Sequence, residues 1–172
     1  MTISIKKELD SSQTILLLMS GIEYNKTMVK VVKELSGKSV CYVTSNKTFD
    51  SLKETFKKNK VEFKDMVFID SISKSLKKVP DSADQVYYVS NPGALTELSV
   101  VIGKFLRHDF DYLIFDSVTN LNIYNKTPVC IKFINSLVNK IKRSKTKAVF
   151  YAVGEKLDEL PEHISSIMDR VL

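Results

Sequence analysis

The chain has 172 residues, of which 44% are hydrophobic and 27% charged, with 5 Gly and 4 Pro; this globular balance excludes collagen-like, linker-like and low-complexity classes. A single domain accounts for the length, and a chain of this size buries roughly two-thirds of its unfolded surface without needing a disulfide or a metal. The net charge of +6 admits polyanionic partners, but only Arg107, Arg143 and Arg170 among 26 basic residues are Arg, the side chain suited to bidentate phosphate contact.

Residues 1–12 are mixed and polar and read as a loose lead-in. Thr14 to Met19 is a continuous apolar run, the pattern of a strand buried on both faces. Met28, Val31, Val32 and Leu35 then recur at helical spacing, with Gly37 as the stop. Ser39 to Thr44 predicts a second strand. Phe49, Leu52 and Phe56 mark one face of a charged helix ending near Asn59, and Met66 to Asp70 predicts a third strand. Lys74 to Asp84, with Pro80, reads as a polar connection before a fourth strand over Gln85 to Val89. Leu95, Leu98, Ile102 and Phe105 give a helix, Tyr112 to Asp116 a fifth strand, and Val129 to Ile141 a helix. Ala148 to Val153 is the sixth strand. Helical turns over Pro161 to Met168 and a short edge strand over Asp169 to Leu172 close the chain.

Strands alternating with amphipathic helices imply parallel pairing and right-handed crossovers. The expected fold is therefore α/β: a three-layer sandwich over residues 1–172, with a mostly parallel sheet of about six strands and helices on both faces. The apolar runs are too short to span a bilayer, so no membrane association is expected. No basic-then-apolar segment opens the chain, which points to the cytoplasm. Cys41 and Cys130 sit in apolar settings without metal or redox spacing and read as reduced, buried thiols.

In such folds ligands bind beyond the carboxyl ends of the strands. The candidates there are Ser20 to Thr27, then Thr44, Ser45 and Asn46, then Ser90 and Asn91, and finally Asp116 and Ser117. A phosphate-binding loop reads G-x-x-x-x-G-K-[ST] between a buried strand and a helix. Lys26 and Thr27 stand at the last two positions, but Ser20 and Asn25 replace the glycines, with Gly21 adjacent. The glycines let backbone N–H groups turn inward around phosphate; Asn25 is a partial substitute because Asn tolerates the left-handed conformation. Lys26 suits phosphate and Thr27 suits Mg²⁺. Asp116 closes a buried strand as a metal-associated aspartate does in nucleotide-binding α/β proteins; the plainer alternative is an aspartate capping the next turn.

Three stretches carry a resemblance to a known group. Cys41 through Ile72 is similar to a second-strand, helix and third-strand region; Ala94 to Ser99 followed by Leu113 to Tyr124, with its Asp116-Ser-Val-Thr-Asn-Leu121, looks like a Walker B strand and following loop; Met168 to Leu172 resembles a closing strand. The chain thereby resembles a degenerate member of the RecA/KaiC-like P-loop ATPase superfamily, in the archaeal KaiC-related group. The resemblance implies a residual nucleotide site of Ser20, Gly21, Asn25, Lys26, Thr27 and Asp116, with ATP as ligand and Mg²⁺ on Thr27 and Asp116 where nucleotide is retained. It also implies a homo-oligomer or a related KaiC-like protein as partner. Active members place a catalytic glutamate after the second strand; Thr44, Ser45 and Asn46 stand there and none is a base at neutral pH. No catalytic residue is assigned. The expected function is a pseudo-ATPase acting as a regulatory or assembly module, ahead of an ATP-binding switch and of a DNA-associated recombinase paralogue. The cationic run at residues 140–147 reads as a solvated helix end, and a nucleic-acid partner ranks behind a protein one.

Overall fold

A computed structural model describes residues 2–154 and 159–172. In chain order the elements are α1 (Ile5–Ser11), β1 (Thr14–Met19), α2 (Tyr24–Leu35), β2 (Val40–Thr44), α3 (Phe49–Lys58), β3 (Met66–Asp70), α4 (Ser73–Leu76), β4 (Ser82–Ala83), β5 (Val86–Tyr88), α5 (Leu95–Leu106), β6 (Tyr112–Asp116), α6 (Val118–Tyr124), α7 (Thr127–Lys142), β7 (Lys147–Val153), α8 (Glu159–Ser165) and β8 (Arg170–Val171). The sheet order is β4-β5-β3-β2-β6-β7-β1-β8. Every pairing is parallel except β4 with β5.

The apolar strands expected from the sequence are the centre of this sheet. β2 is buried at all five positions and β6 at four of five, because helices cover both faces. One core joins the sheet to α5, α6, α7 and α8 through Leu98, Ile102, Leu121, Ile134, Ile141 and Ile164. The other joins the opposite face to α1, α2 and α3 through Leu9, Met28, Leu35, Leu52 and Phe56. Each such fully buried side chain contributes about 1.5–3 kcal/mol relative to exposure. Cys41 and Cys130 are free and buried, and burial pushes the Cys41 thiol up to about 12.

Four sequence expectations are corrected. The sheet has eight strands, not six. β8 is the short closing edge strand expected over Asp169 to Leu172, whereas β4 is an additional two-residue antiparallel edge strand within the segment read as a polar connection. That segment also begins with the single helical turn α4. The lead-in is the helix α1: the Ser4 hydroxyl caps it, and Ile5 and Leu9, four residues apart, bury one short face. Two apolar residues in seven give too little periodicity to read. Finally, the stretch after Asp116 is helical as α6, whose Val118 and Leu121 are fully buried.

The register fixes what stands at the carboxyl edge. Asp70, Thr44, Asp116, Tyr151 and Leu17 are lateral neighbours across β3, β2, β6, β7 and β1. Paired residues share a face of the sheet. That face is the one covered by α1, α2 and α3, so α2 delivers its first turn directly over Asp116.

Candidate functional site

Asp116 is fully buried at the end of β6. Its Oδ2 accepts a hydrogen bond from the Tyr42 hydroxyl at 2.6 Å and a second, short one from the Tyr24 hydroxyl. Its Oδ1 faces the Asn46 side-chain amide, which donates at 3.4 Å. Tyr42 reaches the carboxylate because β2 alternates: it lies two residues before Thr44, the register partner of Asp116, on the same face. Tyr24 reaches it from the helix layer covering the same face, as the first residue of α2.

The next layer holds Asn46 in place. Asn120 of α6 donates to Asn46 Oδ1 and to the Ser45 carbonyl, both at 3.0 Å. The Ser45 amide donates to the Asp116 carbonyl at 2.7 Å, and its hydroxyl to the Ser117 carbonyl at 2.9 Å. The Asp116–Ser117 peptide is cis. Thr44 Oγ1 accepts from the Lys47 amide at 3.0 Å and donates to the Lys47 carbonyl at 2.6 Å, closing residues 44–47 into a tight turn. This turn sets Lys47 over the Tyr24 ring, 5.3 Å from its centroid, where Nζ also donates to Asn25 Oδ1 at 2.6 Å. The Tyr151 hydroxyl is buried beside this group and has no partner among the described residues.

Burial is the main influence on the charges. It raises the Asp116 pKa above the ordinary carboxylate value, against the pull of the Tyr24, Tyr42 and Asn46 hydrogen bonds and the Lys47 charge. Burial likewise holds the Tyr24 and Tyr42 phenols well above their ordinary value, with the Asp116 charge adding to it. Both phenols are therefore protonated donors, and neither is a base. The assembly is a closed donor–acceptor knot around one carboxylate.

The segment after β1 is a compact turn. The Glu23 amide donates to the Ser20 carbonyl at 3.2 Å and to Ser20 Oγ at 3.3 Å, and the Thr27 amide donates to the Glu23 carbonyl at 2.9 Å. Ser20 Oγ in turn donates to Glu23 Oε2 at 3.2 Å. None of residues 20–27 has a positive φ, and a Cβ built on Gly21 meets nothing within 4 Å. Asn25 is accordingly an ordinary residue of α2, not a left-handed one. Lys26 is exposed and Thr27 half-buried on that helix. So Ser20, Gly21, Asn25, Lys26 and Thr27 form one turn and the start of one helix, at the same sheet edge as Asp116, with Tyr24 as the direct link.

Sequence reasoning named Asp116 and the turn but missed Tyr24, Tyr42, Lys47, Asn120 and Tyr151. A signal for Tyr42 was present: a phenol inside a strand buried on both faces needs a hydrogen-bond partner. Ser90 and Asn91 serve locally. The Ser90 amide donates to Glu97 Oε1 at 3.2 Å, and Asn91 Oδ1 accepts from the Gly93 amide at 2.9 Å. Among the described residues no group of three or more His, Cys, Asp or Glu is placed to hold a metal. No described helix is long and apolar enough to cross a membrane.

The sheet order and the covered faces define a three-layer α/β protein with its polar cluster at the carboxyl edge of the central strands. No protein-family model matches the sequence, and no curated protein matches it. Among solved structures it is similar to the KaiC-like protein of the hyperthermophilic archaeon Pyrococcus horikoshii OT3, with a TM-score of 0.66 at 13% identity over 92% of this chain and 69% of that one. The chain therefore has a KaiC-like, RecA-type α/β fold.

Proposed function

We propose that the chain is a KaiC-like pseudo-ATPase domain: a scaffold of the nucleotide-hydrolysing type that acts as a regulatory or assembly module instead of turning ATP over. The observation that carries this reading is the state of Asp116. A hard cation such as Mg²⁺ needs oxygen ligands with free lone pairs, whereas Oδ2 of this carboxylate accepts from two buried phenols and Oδ1 faces an amide. The turn after β1 supports the same reading, since the Glu23 amide bonds back to Ser20 and no residue of 20–27 takes a positive φ. A Mg²⁺–triphosphate does not fit these residues as they are arranged.

Thr44, Ser45 and Asn46 are hydrogen-bonded turn residues and supply no general base. The absence of a base costs typically about two to four powers of ten in rate. The test is phosphate release from Mg-ATP by the purified chain over hours. No release above buffer is the expected result; a turnover that disappears in Lys26→Ala overturns the reading. An ATP-binding switch is the second reading, favoured by Lys26 standing exposed in the first turn of α2 on the same edge as Asp116. In that case nucleotide binds without being hydrolysed.

A further inference from the structure

At the opposite edge of the sheet, the end of α5 and the end of α7 lie side by side. α5 leads into β6 and α7 into β7, so the trough between them sits beyond the amino ends of those strands. It is an open groove of about 570 Å³, walled by Lys104, Arg107 and Asp109 on one side and by Lys140, Arg143 and Ser144 on the other. Four cations thus face one carboxylate. Among the described residues none of the four is in an ion pair. Lys140 donates to Ser99 Oγ at 2.9 Å, which draws its ammonium across the trough.

The arginines add a second observation. The chain has three; Arg170 pairs with Glu8 at 3.1 Å, and the other two both stand in this trough. Sequence spacing shows only the run at 140–147. The fold brings Lys104 and Arg107 to it from a helix more than thirty residues away.

We propose that this trough binds the sugar–phosphate backbone of a nucleic acid, without reading its sequence. A cluster of unpaired like charges is complementary to a repeating anion, and Arg and Lys are the side chains that contact phosphate. The trough is open, so a polymer can run through it. No aromatic side chain lines it, so it offers neither a platform for stacked bases nor the aromatic anchor that protein interfaces favour. Phosphate contacts position a chain without specifying its sequence.

The test is fluorescence anisotropy with a labelled 20-nucleotide single strand and a labelled 20-base-pair duplex at 50 and 200 mM salt. With four phosphates neutralised, the single-strand affinity is expected to fall by about 50-fold between the two salts, from a slope of about −0.7 per contact. Arg107→Ala with Arg143→Ala removes two contacts and reduces that fall to about 7-fold. Both residues are exposed, so the fold tolerates the change. Lys57→Ala with Lys58→Ala, an equal loss of charge on the exposed side of α3, leaves the salt slope unchanged. Duplex binding with the same response to the arginine variant also supports the proposal. Four results overturn it: no binding at 50 mM salt, an arginine variant that binds like the wild type, a lysine control that loses as much, or preferential capture of a polyglutamate peptide. None of these outcomes depends on nucleotide at the other edge, so the two readings fail separately.

Discussion

Replacing Asp116 separates a structural carboxylate from one kept for a metal. In Asp116→Ala the two phenols of Tyr24 and Tyr42 lose their acceptor while remaining buried at 6% and 0% exposure. Leaving a buried donor unsatisfied costs about 1–3 kcal/mol. Two such donors give about 2–6 kcal/mol, with the long Asn46 contact adding little. Asp116→Asn keeps the shape and one oxygen acceptor for the phenols, so it loses only about 1 kcal/mol. The assay is urea unfolding. At a slope of roughly 2 kcal/mol per molar, the Ala variant shifts the midpoint down by about 1–3 M and the Asn variant by about 0.5 M. A carboxylate whose role is ligand binding behaves the other way: its removal leaves the empty protein unchanged or more stable. An Ala variant within about 0.5 kcal/mol of the wild type would refute the account.

Further outcomes follow from the same geometry. The Asp116 pKa is raised above 3.8, so its contribution is fully present below that value and is lost as pH rises through the folded value. As pH rises above the ordinary carboxylate value, Asp116→Asn is expected to lose less stability than the wild type, read as the difference between their urea midpoints; parallel profiles would contradict this. Tyr42→Phe removes one bond to the carboxylate and is expected to cost about 1.5–3 kcal/mol, with a smaller effect when introduced into Asp116→Asn, by urea unfolding of the four-member cycle. Ser4→Ala removes the cap of α1 and its 2.9 Å bond to Glu34, and is expected to lower stability by about 1 kcal/mol, read as the shift of the urea midpoint.

The central strands were legible because burial on both faces leaves an unbroken apolar run, as in Val40 to Thr44 and Tyr112 to Asp116. The long helices were legible because each covers one face, as Leu95, Leu98 and Ile102 do. β4 was not, because two exposed residues make an edge strand with no hydrophobic signature. α6 was obscured because it directly follows a buried strand and shows only two fully buried positions. At the site, the sequence placed Asp116 and the turn after β1 on one edge but could not pair them. That link runs through Tyr24, which the P-loop pattern treats as a spacer, and through Tyr42, which strand patterning treats as core. Asp70 shows the same limit: it also ends a buried strand, yet its Oδ1 accepts from the amides of Ile72 and Ser73, and its Oδ2 from that of Phe49. It is a cap for two helices, and only geometry distinguishes its task from that of Asp116.

The most direct measurement is calorimetric titration of the intact chain with millimolar Mg-ATP, in parallel with Lys26→Ala and Tyr24→Phe. With the Asp116 carboxylate held by its two phenols, all three traces are expected to be flat. A saturating isotherm in the wild type that vanishes in Lys26→Ala would contradict the account and show that the turn after β1 still opens around a triphosphate.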